Sequence, residues 1–255
     1  MKQAFSLVEL SIVLVILGLL TGGILTGQNL IRAAELRSIV PQLQQYQAAM
    51  QTFRGKYFAM PGDMANATAF WGEFGDAGTG SCPGTAGTGT ETCNGDGDGQ
   101  VGTTTDSNIE NHESAQFWKQ LANAGLIEGS YTGVMEGSTL KSITLGENAP
   151  AGRISNAGFS IRWMGTQSSS TSWFEGEYRN TFYFGGTSGA VLTSGGVLSA
   201  PEVWSLDKKM DDGRPGLGRV VSYESVNCAT TTSYATAEYL LTGTLTECPL
   251  IFRGF

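Results

Sequence analysis

Between Phe5 and Leu25 the chain runs twenty-one residues with a single charge, that of Glu9. About 20 apolar residues, rising about 1.5 Å each, cross the roughly 30 Å hydrocarbon core of a bilayer. A segment of this kind has to be housed in lipid or in the apolar interior of an assembly. A carboxylate inside it costs roughly 2.5–3.5 kcal/mol at the bilayer centre and less towards the interface. No Lys or Arg lies within the span to neutralise Glu9. The missing cation is therefore expected from another molecule.

Three readings of the segment differ in what they leave unexplained. A cleaved secretory signal has a shorter apolar core, of about 7–15 residues, and a small-residue cleavage site after it. A plain membrane anchor fits the length but gives Glu9 no role. The third rests on the order Met1-Lys2-Gln3-Ala4 followed by Phe5-Ser6-Leu7-Val8-Glu9-Leu10. This order resembles the amino terminus of type IV pilins and pseudopilins. The resemblance implies cleavage between Ala4 and Phe5 by prepilin peptidase, with N-methylation of the new terminus at Phe5. It departs from the family in carrying Ala4 where Gly is usual. It also implies that Glu9 neutralises the Phe5 amine of a neighbouring subunit, so Phe5 and Glu9 are the expected assembly residues. In apolar surroundings such a pair is strong, and removing one partner is costly.

Composition narrows the remaining classes. The formal charge of −8 gives no general attraction to nucleic-acid phosphates. Aromatic residues recur past residue 60, which argues against disorder. Cys82, Cys93, Cys228 and Cys248 allow three disulfide pairings, and an exported chain favours disulfides over thiols. The local pairings are Cys82–Cys93 and Cys228–Cys248; the second resembles the carboxy-terminal disulfide loop of many pilins. A zinc site is the alternative, but no CxxC spacing occurs and His112 is the lone histidine.

Beyond the apolar stretch, Leu36, Ile39, Val40, Leu43, Tyr46, Met50, Phe53 and Tyr57 recur at helical spacing, with Gln-rich positions between them. The helix is expected to continue through Tyr57, with a kink at Pro41. Gly22, Gly23 and Gly27 weaken it, and melting between Gly18 and Gly27 is expected on assembly. The head is expected to begin near Phe58, with a turn at Met60-Pro61-Gly62-Asp63 and a short helix over 66–74. A helix is predicted over 111–124, and a Ser199–Glu202 capping box opens another through Asp212. Strands are predicted at 140–145, 158–164, 181–184 and 220–225, forming an antiparallel sheet. The fold class is thus α+β: residues 1–4 a leader, 5–25 the transmembrane and assembly helix, 26–57 its amphipathic continuation, 58–255 a β-rich head.

One segment of the head carries a ligand-like pattern. Asn94-Gly95-Asp96-Gly97-Asp98-Gly99-Gln100-Val101 alternates oxygen side chains, has Gly sixth and an apolar residue eighth, like the first half of an EF-hand calcium loop. Asn94, Asp96, Asp98 and the Gln100 carbonyl are the expected ligands for Ca2+. Thr105 stands where the bidentate Glu belongs, and Glu110 or Glu113 would complete the shell. The alternative is an acidic turn that binds nothing. The Asp211-Asp212-Gly213 turn reads as structural, and His112 as a helix-start residue. No nucleophile, zinc-hydrolase or phosphate-loop motif is present, so no catalysis is expected.

The sequence therefore leads to the expectation of a type IV filament subunit. It would pass through the inner membrane as a precursor, be handled by the pilus assembly machinery and polymerise into an extracellular helical homo-oligomer. A type II secretion pseudopilin, which would stay periplasmic, and a minor pilin or tip adhesin remain open.

Overall fold

A computed structural model describes residues 6–73, 89–102, 110–135, 142–187, 192–222, 225–243 and 245–255. Helix α1 (Leu7–Tyr57) runs 51 residues, about 75 Å, without a break at Pro41 or at the glycines. Ser6 caps it: its hydroxyl accepts from Val8 N, while the Glu9 carboxylate accepts from Ser6 N at 2.8 Å. By length and composition it is the one helix, among the described residues, apolar enough to cross a membrane. From Leu7 to Thr26 every residue is exposed. Burial begins only near Arg32, and Ile39, Leu43, Tyr46, Ala49, Met50 and Phe53 then enter the head core.

The head is built on a sheet that this stripe covers. Strands β1 (Ala157–Trp163), β4 (Asn180–Gly186), β5 (Val220–Ser222) and β6 (Leu250–Phe252) pair antiparallel in the order β1-β4-β6-β5. Strands β2 (Thr166–Gln167) and β3 (Gly176–Glu177) form a separate small hairpin. Alternation along the strands sends Phe159, Ile161, Phe182, Phe184, Leu250 and Phe252 into the main core with α1. Tyr183, Val221 and Ile251 point the other way, under Met164, Tyr178 and Leu192. Tyr46 of α1 meets Phe159 and Trp118 edge-on, at 5.2 and 5.0 Å. The arrangement is α+β, as the sequence predicts.

Among the described residues, four smaller helices complete it: α2 (Thr68–Trp71), α3 (Glu110–Asn123), α4 (Ala200–Met210) and α5 (Ser225–Cys228). The capping box at α4 forms, with Glu202 accepting from Ser199 N at 2.8 Å. Three expectations need correction. Helix α2 is one turn long, because Gly72 at φ +88 ends it. Of the strand expected at 140–145, the described part makes isolated bridges only, and the rest lies outside the described residues. Strand β5 ends at Ser222, and Ser225 already belongs to α5. Strand β6, which lies inside the sheet, has no counterpart in the sequence reading.

Where α1 enters the head, Arg32 holds the two together. Its Nε and Nη2 donate to the two oxygens of Glu202 at 2.7 and 2.9 Å, and Nη2 also donates to Val197 O. Cys228–Cys248 is bonded within the main core. Cys93 is also disulfide-bonded; Cys82, its expected partner, lies outside the described residues.

Candidate functional site

The 94–102 loop wraps around two buried carboxylates that reach it from elsewhere. Asp63, 2 % exposed, follows the end of α1 and accepts from Gly97 N at 2.6 Å and Gly99 N at 2.8 Å. Glu113, 5 % exposed, projects from α3 and accepts from Asp96 N at 3.2 Å and Gly102 N at 2.8 Å. Inside the loop, Asp96 accepts from Asp98 N, and Asp98 accepts from Gln100 N and its side-chain amide. Gly97 and Gly99 hold φ of +79 and +87, backbone that L side chains rarely adopt, so their amides can both turn towards Asp63.

Helix α3 anchors this wall of the head through polar side chains that face inward. Gln116 accepts from the Thr92 hydroxyl and donates to Gly133 O. Lys119 donates to Gly89 O, and Gln120 accepts from Gly62 N at 2.7 Å. One helix face thus fixes the loops on either side of it.

Oxygens of Asp63, Asp96 and Asp98 lie within 4.8 Å of one another. Burial pushes Asp63 up to about 6, with the neighbouring Asp96 carboxyl adding to it against the Gly99 and Gly97 amides. Burial likewise pushes Glu113 up to about 8, helped by the charges of Asp63 and Asp96 and opposed by its two backbone donors. A cation held by all three aspartates sits about 2.3–2.6 Å from each oxygen, which a triangle of this size accommodates. The donor set is all oxygen, which suits a hard cation.

The expected ligands divide. Asp96 and Asp98 come together, joined by Asp63, which the sequence reading treated as part of a turn. Glu113 lies beneath the loop, bonded to its amides. Asn94 Oδ1 accepts from Thr68 N at 2.9 Å and so ties the loop to α2. Gln100 turns its amide onto Asp98. Thr105 and the side chains of Glu110 and His112 lie outside the described residues, as do Ala4 and Phe5. No motif in the sequence marks Asp63; the fold brings it in because Gly62, at φ +85, packs so closely on Glu113 O that an added Cβ would collide with it. That closeness joins the two segments in space.

A second acidic group gathers at the end of α4. Asp207 is buried and accepts from the Tyr239 hydroxyl at 2.8 Å and Gly213 N at 3.2 Å. Burial pushes it up to about 7. Asp211 accepts from Arg219 N and Val220 N, which makes it a brace for β5. Glu9, at the far end of the molecule, has Ser6 N as its partner and no cation among the described residues.

Comparison with known proteins returns nothing: no family model, curated protein or solved structure matches this chain.

Proposed function

We propose that the chain is a structural subunit of a type IV pilus or a related filament. The observation that carries this reading is the form of α1. Its first half is apolar and exposed, with no residue of 7–26 buried against the described part of the head; its second half is the spine of that head. One carboxylate, Glu9, sits near the start of the uncovered half. Lipid would cover the uncovered half before assembly, and like helices from other copies would cover it afterwards. Cleavage between Ala4 and Phe5 would free an amine, and Glu9 would exchange its bond to Ser6 N for that amine on a neighbour. A buried charge left without its partner costs about 3–5 kcal/mol. Replacing Glu9 with Gln should therefore leave processed subunits in the membrane and few filaments in electron micrographs. Filaments of wild-type number and length in that variant would refute the reading.

Within this reading, Ca2+ is the ion for Asp63, Asp96 and Asp98. It would neutralise a charge cluster that the 94–102 loop otherwise leaves to protons. Titration calorimetry with calcium on the full chain should show one site that Asp96→Asn removes. No heat at millimolar calcium would reject the assignment.

A further inference from the structure

A groove of about 1270 Å³ opens where α1 ends in the head. Gln51, Arg54 and Gly55 line it from the helix, three and four positions apart and so on one face. Tyr57, Phe58, Trp163 and Phe255 bring aromatic rings to its walls, and Phe58 is 93 % exposed. The acidic loop contributes Gly97 and Gly99, beside Asp63. Formal charges on the walls cancel, Arg54 and Arg179 against Asp63 and Glu177. Arg179 is already paired with Glu177 at 2.8 Å, and both Asp63 oxygens are held by loop amides.

Other polar groups of the groove are unspent. The side chains of Gln51, Arg54 and Asn66 and the indole N–H of Trp163 have no hydrogen-bond or ion-pair partner among the described residues. Gln51 and Asn66 each offer both a donor and an acceptor, whereas Arg54 and Trp163 only donate. Gly55 is the second observation. It stands in the last turn of α1, where Gly costs about 1 kcal/mol relative to Ala. An added Cβ would meet no atom within 4 Å, so close packing does not call for Gly there. Nor does a left-handed backbone, since the residue is helical. What the missing side chain provides is open space along the groove.

We infer that this groove binds a neutral oligosaccharide. A sugar ring has a C–H face that packs on an aromatic ring, whose own face is electron-rich. Its hydroxyls both donate and accept, which matches the amides, the guanidinium and the indole N–H. An apolar ligand would leave those groups desolvated and unmatched, at a cost of about 1–3 kcal/mol each. Walls whose charges cancel select neither a phosphate nor an amine. The volume exceeds the roughly 300–1,000 Å³ of common small-molecule pockets, which suits a ligand of more than one ring. Binding of this kind needs a single chain and goes beyond the filament reading.

The test applies the full chain, in detergent with calcium, to an array of neutral and sialylated oligosaccharides, then titrates the best-bound glycan by calorimetry. The expected result is binding of a neutral glycan. Gly55→Phe places a ring in the open space and should weaken that binding roughly ten-fold or more without lowering Tm. Arg54→Ala, at an exposed position, should weaken it about five-fold. An array without binding, or with sialylated glycans alone, would overturn the inference. So would a neutral glycan held as tightly by Arg54→Ala, or by Gly55→Phe at wild-type Tm. Because the readout is taken on isolated chains, its failure leaves the filament reading untouched, and a failure to form filaments leaves the groove untouched.

Discussion

Glu113 gives the candidate site a measurable pH signature. Its carboxyl is buried, sits near Asp63 and Asp96, and is raised from 4.5 to about 8. A carboxyl raised in the folded state stabilises the fold fully below its unfolded value and loses that contribution as pH climbs through the folded one. For the calcium-free chain the loss therefore runs from about pH 4.5 to about pH 8. Its slope has a ceiling of about 1.4 kcal/mol per pH unit. Backbone donors and loop relaxation reduce this, so a net loss of about 2 kcal/mol between pH 5 and pH 8 is expected. For a chain of this size that is a fall of about 4–8 °C in Tm. Glu113→Gln cannot ionise, so its Tm should start lower, because an amide donor faces Asp96 N or Gly102 N, and should fall less over the same range. Thermal unfolding of both proteins in detergent with chelator, followed by tryptophan fluorescence, makes the comparison. Parallel Tm profiles for the two would refute the assignment of the proton to Glu113.

Three further outcomes follow from other parts of the fold. Changing both Cys228 and Cys248 to Ser opens a loop with a sequence separation of 20, and denaturant unfolding should show a loss of about 3 kcal/mol. Arg32→Ala removes the forked contact with Glu202 and should cost about 1–2 kcal/mol in the same assay. Arg32→Lys should not restore it, since an ammonium cannot bridge both oxygens and Val197 O. Gly62→Ala, at φ +85 and against Glu113 O, should cost more than 2 kcal/mol and weaken calcium binding in calorimetry, because it pushes Asp63 from its place.

The long helix was readable because apolar spacing and length act locally, and the α4 capping box because its four residues suffice to form it. Three things were not. Leu250-Ile251-Phe252 is three residues long and buried on both faces, so it has no alternation to read; its partners, Phe182–Phe184 and Val220–Ser222, set it in place. On α3, polar residues such as Gln116, Lys119 and Gln120 carry no local sign of burial, yet each is buried because it finds a carbonyl, hydroxyl or amide on a neighbouring loop, as Glu113 does. The acidic loop showed Asp96 and Asp98 through spacing alone. Asp63 lies 33 residues earlier, and only the folded chain brings it to them.

Filaments sheared from the surface of producing cells and analysed by intact-mass and N-terminal peptide spectrometry address the polymer claim most directly. The expected result is this chain as a filament component, starting at Phe5 and carrying one methyl group on its amine. Sheared filaments without the chain, or a chain that keeps Met1–Ala4 and stays in the membrane fraction, would contradict it.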